Sequence, residues 1–275
     1  MRRKSKLRIG IVGCGAIGSS LAQKIISDFS RSAHLTGVYD LVAEKAEKLA
    51  GQCGSRKLAI SSLGLLIARS DLVIEATQAG SAFTIAKRTA NASRDIMVMS
   101  VGGILAHYRK LKALAHRKGS RVFIPSGALA AIDSVKAAAC GKIEKVTLTT
   151  RKPVRAFSGV AYIREKKIRL DRIKKDTVIF KGSALAATKA FPQNINVAAT
   201  LSLAGIGAKK TTVIMVASPH LSKNIHEVAV ESASGRIISR TENVVHPDNP
   251  KTSYLAVLSA IATLKQILEP VKIGT

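Results

Sequence analysis

The 275-residue chain carries 44 Lys and Arg against 17 Asp and Glu, a formal net charge of +27, and 47% of its residues are hydrophobic. This length and hydrophobic content fit one large or two modest globular domains and exclude wholesale disorder. The chain has no tryptophan and few aromatic residues, which argues against a stacking surface for single-stranded nucleic acid. No stretch reaches the ~18 uninterrupted apolar residues of a membrane span. We therefore expect a cytoplasmic protein without a membrane partner.

The first predicted element is an apolar strand over residues 7–12 that runs directly into Gly13-x-Gly15-x-x-Gly18. A helix is predicted to follow, over 19–27. This context is typical of a dinucleotide-binding turn, in which the glycines permit a tight turn and close approach of a pyrophosphate. The N–H groups that open the helix, at Ala16, Ile17 and Gly18, would hold the phosphates.

A second apolar stretch, 35–39, ends in Asp40, twenty-two residues beyond Gly18. An acid near this spacing accepts hydrogen bonds from the adenosine ribose, which favours NAD while leaving NADP possible. The alternative is a turn that binds nothing, with Asp40 capping a helix that starts near Val42.

The rest of the first 125 residues alternates short apolar runs with amphipathic stretches. Buried parallel strands are predicted at 72–76, 96–100 and 122–124, and helices at 42–50, 63–68, 81–91 and 105–117. Alternating strands and helices predict an α/β fold with a Rossmann-type, doubly wound parallel sheet.

The pattern changes at Ser126-Gly127-Ala128. Strands are predicted at 146–151, 177–180, 211–217, 227–230 and 236–240, and helices at 183–190 and 197–203, which indicates a second, α+β domain with a mixed or antiparallel sheet. Asn249 and Pro250 read as the N-cap and first residue of a final helix. We therefore predict a dinucleotide-binding domain over 1–125, completed by a C-terminal helix within 249–275, and a substrate and dimerisation domain over 126–248.

Basic residues are densest over 151–181, which holds eleven of them against three acids. A solvated charged surface explains this run best, and a basic site for a doubly negative substrate is the second explanation. No motif organises the basic residues for specific binding of nucleic acid. The three cysteines, Cys14, Cys53 and Cys140, lack metal-ligand spacing, so we expect a reducing compartment and no metal.

Several polar segments of the second half share a pattern. They are Ser-Gly-Ala128 with Asp133, Thr-Arg151-Lys-Pro, Asn-Ile-Asn196-Val-Ala-Ala-Thr-Leu, Asn-Ile-His226-Glu and Asn249-Pro-Lys-Thr-Ser-Tyr. Together with the glycine motif they closely resemble the L-aspartate dehydrogenase family over nearly the whole chain. The basic run at 164–175 is a departure from the family pattern.

The resemblance implies oxidation of L-aspartate with NAD or NADP, giving iminoaspartate and then oxaloacetate plus ammonia, with a possible role in NAD biosynthesis. It implies that His226 is the catalytic acid/base, that Ala128 and Asn196 contact the nicotinamide cofactor, and that a homodimer forms through the sheet of the second domain. Asn196 would also serve as a helix N-cap.

The residues themselves agree with a role for His226 in proton transfer. Hydride removal from Cα requires a neutral amine, and the resulting imine then takes water, so a group that titrates near neutral pH suits both steps. The alternative is a histidine that only satisfies a structural hydrogen bond. Glu227, next on the predicted strand, would point to the opposite face and would not orient the imidazole.

Substrate carboxylates need cationic or N–H-rich partners. Arg151 and Lys152 at a strand end are candidates, although an exposed basic pair explains them equally well. Lys251, Thr252 and Ser253 would form the first turn of the last helix, where N–H groups and hydroxyls favour an anion, and capping explains these hydroxyls nearly as well.

Two other functions remain open from the sequence. One is a dehydrogenase or reductase of another small dicarboxylate or imine. The other is a nucleotide-sensing, nucleic-acid-binding protein built on a Rossmann domain, an idea motivated by the net charge of +27.

Overall fold

The computed structural model describes residues 5–192, 195–246 and 249–275. The chain divides into two compact units, one of residues 1–125 with 257–273 and one of 126–256 with 274–275. No helix in these described parts of the chain is long and apolar enough to cross a membrane.

The first unit holds a parallel sheet in the order β2-β1-β3-β4-β5. Its strands are β1 (Leu7–Val12), β2 (Ala33–Tyr39), β3 (Leu72–Glu75), β4 (Asp95–Val98) and β5 (Val122–Phe123). Its helices are α1 (Ala16–Ser27), α2 (Ala43–Gln52), α3 (Leu63–Arg69), α4 (Ala79–Asn91), α5 (Val101–Leu105) and α6 (Tyr108–Lys118).

Alternation along β1 explains why helices cover both faces of this sheet. Ile9 and Ile11 lie in one apolar cluster with residues of α1 and α2. Gly10 faces the other side of the sheet, where an added Cβ would clash with Leu66 of α3 and with Ser70, the residue that follows α3. The predicted Rossmann-type, doubly wound parallel sheet is confirmed.

The second unit contains a mixed sheet in the order β10-β9-β6-β8-β7, in which β6 and β8 are parallel and the other neighbours are antiparallel. Its strands are β6 (Ile143–Pro153), β7 (Thr177–Ser183), β8 (Thr212–Ser218), β9 (Asn224–Ser232), β10 (Gly235–Asn243), β11 (Val245–His246) and β12 (Asn249–Ser253). Its helices are α7 (Ile132–Ala138), α8 (Ala161–Glu165), α9 (Ala184–Ala190) and α10 (Asn196–Ala204). The core lies between one face of this sheet and α7, α9 and α10, and includes Val146, Leu148 and Val228.

The prediction of a final helix beginning at Asn249–Pro250 is wrong. Residues Asn249–Ser253 form β12, which pairs antiparallel with β11 through Val245 and Ser253, and helix α11 runs over Tyr254–Leu268. Pairing with a neighbouring strand therefore outweighs the local capping signal. Residues up to 256 belong to the second unit, whereas α11 from Val257 onward packs Ala260 and Leu264 into the core of the first.

Two smaller predictions also need correction. The helix predicted over 105–117 corresponds to α6, which begins at Tyr108, and α5 lies almost entirely before the predicted range. The sequence analysis did not predict α7 or α8, both of which are short.

Candidate active site

The glycine motif has the geometry that a dinucleotide requires. Gly13 has a φ of +98°, and a Cβ on Gly18 would overlap the carbonyl oxygen of Gly13, so the turn and the close strand–helix packing both depend on glycine. A Cβ on Gly15, in contrast, would meet no protein atom within 4 Å. Gly15 therefore leaves open space at the backbone, and the fold itself does not need that space.

The start of α1 supplies donors beside this space. The N–H of Ser19 donates to the carbonyl oxygen of Gly15 at 2.8 Å, so the helix offers no acceptor for the N–H groups of Ala16, Ile17 and Gly18. These donors and the positive end of the helix dipole suit a pyrophosphate.

Asp40 follows β2 and reaches back to the glycine loop. Its Oδ2 accepts the N–H of Cys14 at 2.8 Å, and its Oδ1 accepts the N–H of Val42 at 3.0 Å. The carboxylate thus anchors the loop and the approach to α2, and it stays half-buried at the carboxyl ends of the strands. Burial, helped by the Asp40 carboxylate, raises the pKa of the Cys14 thiol to about 12, so Cys14 stays a neutral filler in the loop.

A buried carboxylate that the sequence analysis missed joins two further loops. Glu75, at the end of β3, is fully buried and accepts hydrogen bonds from the N–H and hydroxyl of Thr77 and from the N–H of Ser100. The hydroxyl of Ser100 donates to the carbonyl oxygen of Thr77 at 3.0 Å. The loops after β3 and β4 are thereby fixed at the edge of the sheet where Rossmann-type folds bind dinucleotides.

His226 lies on β9 opposite Thr150 of β6, on the sheet face that packs against the helices. The Thr150 hydroxyl oxygen is 3.0 Å from Nδ1 of His226, and the two side chains are 2% and 4% exposed. A partner at Nδ1 orients the ring and leaves Nε2 as the nitrogen for a substrate or water. Thr150 is a second residue that the sequence analysis missed, because its contact depends on the register of two strands.

Lys152 shares this face, since it follows Thr150 by two positions on β6. Its side chain is 9% exposed, and burial lowers its pKa to about 8. Burial lowers the pKa of His226 to about 3, and the nearby Lys152 charge adds to that effect. The face therefore brings together a neutral imidazole and an amine that titrates near neutral pH.

Arg151 is placed on the opposite face. Its guanidinium forms an ion pair with Glu227, which also binds Arg240 at 2.9 Å, and its Nε lies 3.5 Å from Asp176. The structure thus brings Lys152, but not Arg151, together with His226. Glu227 points away from the imidazole, as its position on the strand predicts.

Ala128 and Ser253 belong to one hydrogen-bond network in the second unit. The carbonyl oxygen of Ala128 accepts from the side chains of Thr241 and Asn243, each at 3.2 Å, and Asn243 Oδ1 accepts the hydroxyl of Ser253 at 3.1 Å. Asn196 is the first residue of α10, and Ile195 rather than Asn196 occupies the N-cap position.

The proposed anion site at the start of the last helix needs correction, because Lys251, Thr252 and Ser253 lie on β12 and not in a helical turn. The side chains of Lys251 and Thr252 lie outside the described part of the structure. Within residues 5–192, 195–246 and 249–275, no group of three or more His, Cys, Asp or Glu is arranged to hold a metal ion.

Comparisons with known proteins cover both units. A family model described as aspartate dehydrogenase, C-terminal, matches residues 133–267, and one described as homoserine dehydrogenase, NAD binding domain, matches 13–125. The L-aspartate dehydrogenases of Methanosarcina mazei and Methanococcoides burtonii are each 43% identical to this chain, over 98% of it and 100% of their own lengths. The crystal structure of aspartate dehydrogenase from Thermotoga maritima matches with a TM-score of 0.76 and 22% identity, covering 98% of this chain and 99% of that one, which shows the same fold.

Proposed function

The chain belongs to the aspartate dehydrogenase family, and from this premise we propose that it oxidises L-aspartate with NAD to iminoaspartate, which water converts to oxaloacetate and ammonia. The observation that carries the proposal is the buried face of the second unit on which Thr150 holds His226 beside Lys152. Such an arrangement suits proton transfer to and from an amine or an attacking water.

The first unit is an NAD-binding domain whose residues fit the cofactor. Gly13, Gly15 and the N–H groups of Ala16, Ile17 and Gly18 would hold the pyrophosphate, and Asp40 would accept hydrogen bonds from the adenosine ribose. When bound, NAD accepts the hydride that leaves Cα of aspartate. A preference for NAD over NADP follows from the negative charge of Asp40, and Ala128 and Asn196 are proposed to contact the cofactor.

In the second unit, His226 acts as the acid/base. In the tautomer whose Nδ1–H donates to the Thr150 hydroxyl, Nε2 carries the lone pair that accepts a proton or orients water. Lys152 lies on the same face as His226, so we place the substrate at the carboxyl end of β6, next to the start of β9. The β12 residues Lys251, Thr252 and Ser253 remain candidates for binding a carboxylate of the substrate, whereas Arg151 lies on the opposite face and pairs with Glu227.

Three further properties are part of the proposal. The active form is a homodimer that uses the sheet of the second unit, and it needs neither a membrane nor a specific nucleic acid. The enzyme works in the cytoplasm, which is supported by its cysteines, because Cys14, Cys53 and Cys140 form no disulfide. Its product iminoaspartate would serve NAD biosynthesis.

The test is amino-acid-dependent reduction of NAD and NADP, followed at the nicotinamide absorbance. Aspartate should be the best substrate, because alanine leaves an anchoring group unpaired and the longer side chain of glutamate displaces Cα. Salt should raise KM for aspartate, since it screens attraction by the net charge of +27. Equal rates with alanine or glutamate would favour a dehydrogenase of another small dicarboxylate or imine. A salt-sensitive shift of duplex DNA without turnover would favour the nucleic-acid-binding alternative.

A further inference from the structure

We propose that Lys152 is a catalytic residue, whose Nζ takes the proton from the α-ammonium group of the substrate before Cα is oxidised. This inference rests on the proposed function and divides its proton transfers between two residues, with His226 left to act on water.

The position of Lys152 supports this role. It lies near the end of β6, on the face that carries Thr150 and His226, and its side chain is 9% exposed. On the other side of β6, β8 places Ala217 opposite Lys152. A lysine that is buried to this extent is disposed to lose its proton, as general-base lysines do.

The strands that pair with β6 place one titratable group beside Lys152 on its own face. From β9 the titratable neighbour on its face is His226, and from β8 the neighbouring positions are Ala217 and Ser218, which do not titrate. The acids near this strand end, Glu227 and Asp176, pair with Arg151 on the opposite face. Burial is the cause of the lowered Lys152 pKa, which is about 8.

Burial lowers the pKa of both groups, and the lower value at His226 favours this division of the proton transfers. A base whose conjugate acid has a pKa of about 3, as for His226, holds a proton from an ammonium group poorly, whereas an amine with a pKa of about 8 holds it well. Water that adds to an electrophilic iminium carbon needs only a weak base. The neutral imidazole of His226 suits that second step.

One N–H bond of the α-ammonium breaks and a new N–H bond forms at Nζ, so Lys152 becomes cationic and the substrate amine neutral. The Cα–H bond then breaks with its electron pair going to oxidised NAD, which is the oxidant, and the nitrogen lone pair forms the C=N bond. After hydrolysis, Lys152 returns its proton to the departing ammonia or to solvent.

The test uses four variants of the full-length protein. Lys152→Met preserves bulk without a base, Lys152→Arg preserves a cation that cannot deprotonate, and Lys152→Ala makes room for added amines. The control is Lys145→Ala, on the same strand but exposed and paired with Glu231. Thermal melts report folding, and calorimetry with succinate, a dicarboxylate without an amine, reports binding without turnover.

We expect kcat to fall by roughly 10²-fold or more in Lys152→Met and Lys152→Arg, while Lys152→Arg binds succinate within about threefold of wild type. The limb of kcat/KM that rises with pH near pH 8 should disappear in Lys152→Ala, and small primary amines should restore its turnover. Lys145→Ala should behave as wild type.

The proposal is overturned if Lys152→Arg keeps substantial turnover, or if Lys152→Ala keeps the limb near pH 8 and does not respond to amines. Loss of succinate binding in Lys152→Arg and Lys152→Met together with unchanged kcat would make Lys152 a carboxylate anchor only. A wild-type protein that fails to reduce NAD with aspartate contradicts the proposed function instead, and that result is separate from these.

Discussion

The hydroxyl of Thr150 and Nδ1 of His226 lie 3.0 Å apart between two paired strands, with both side chains buried. The Thr150 hydroxyl therefore orients the imidazole. Replacing Thr150 with valine removes the partner and keeps the shape, so kcat should fall roughly ten- to a hundredfold. Thr150→Ser keeps the hydroxyl and should retain most of the activity. Equal rates in the valine and serine variants would show that the contact has no role in turnover.

His226 itself should matter for chemistry and not for cofactor binding. His226→Ala should lower turnover by about 10²–10⁴-fold, the usual effect of losing a positioned acid/base, with the Kd for NAD near the wild-type value. Steady-state kinetics and a calorimetric titration with NAD measure the two quantities. Near-normal turnover in His226→Ala would show that another residue is the acid/base, and His220 would then be replaced next.

The buried histidine should also make the fold sensitive to acid. Its folded pKa of about 3 lies below the unfolded value of 6.5, so between these pH values the unfolded chain binds a proton that the folded chain does not. The stabilisation is complete above pH 6.5 and is lost as the pH falls toward 3. Between pH 7 and pH 4, urea unfolding of wild type should lose roughly 1–3 kcal/mol more than His226→Gln does. The control variant His220→Gln should lose as much stability as wild type over this pH range. An equal loss in wild type, His226→Gln and His220→Gln would show that the pKa of His226 is not lowered by folding.

Two glycines of the same motif should respond differently to alanine. In Gly15→Ala the new methyl group meets open space within the protein, so the melting temperature should hardly change while the Kd for NAD rises by about tenfold or more. In Gly18→Ala the methyl group overlaps the Gly13 carbonyl oxygen, so the fold itself should lose stability. Unchanged NAD affinity in Gly15→Ala would mean that the pyrophosphate does not approach this loop.

Asp40 should control the choice between NAD and NADP. Asp40→Asn keeps an oxygen that can accept the N–H of Cys14 or Val42 but removes the charge that repels a 2′-phosphate. The ratio of kcat/KM for NADP to that for NAD should rise by about tenfold, which corresponds to roughly 1.4 kcal/mol. Glu44→Gln, at an exposed position on α2, is the matched control. If the ratio does not change, Asp40 does not contact the ribose.

The sequence was sufficient to predict elements whose pattern of apolar residues or glycines lies within one segment of the chain. The strand predicted at 7–12 has the bounds of β1, and the change at Ser126 coincides with the boundary between the two compact units. Apolar periodicity and glycine spacing come from steric rules within one element, so they can be read without knowing its neighbours.

The sequence was not sufficient where the structure of a segment depends on residues that are distant in the chain. Asn249–Pro250 has a good helix-start pattern, yet pairing of β12 with β11 makes it a strand. Thr150 and Glu75 are unremarkable in the sequence, because their roles come from cross-strand register and from loops far apart in the chain. Arg151 and Lys152 look alike in sequence, and only the alternation along β6, placed against its partners, separates them.

Two consecutive residues of β9 lie on opposite faces of the sheet. His226 lies on the buried face, and the carboxylate of Glu227, on the other face, pairs with Arg151 and Arg240. A slip of one residue in the pairing of β9 would exchange the two, and place a negative charge in the buried site. Changes of chain length near β9 are therefore best tolerated in its flanking turns, between Ser218 and Asn224 and between Ser232 and Gly235, where an added residue need not alter the pairing. The chemistry of this protein therefore depends on the pairing register of β9 as much as on the presence of His226.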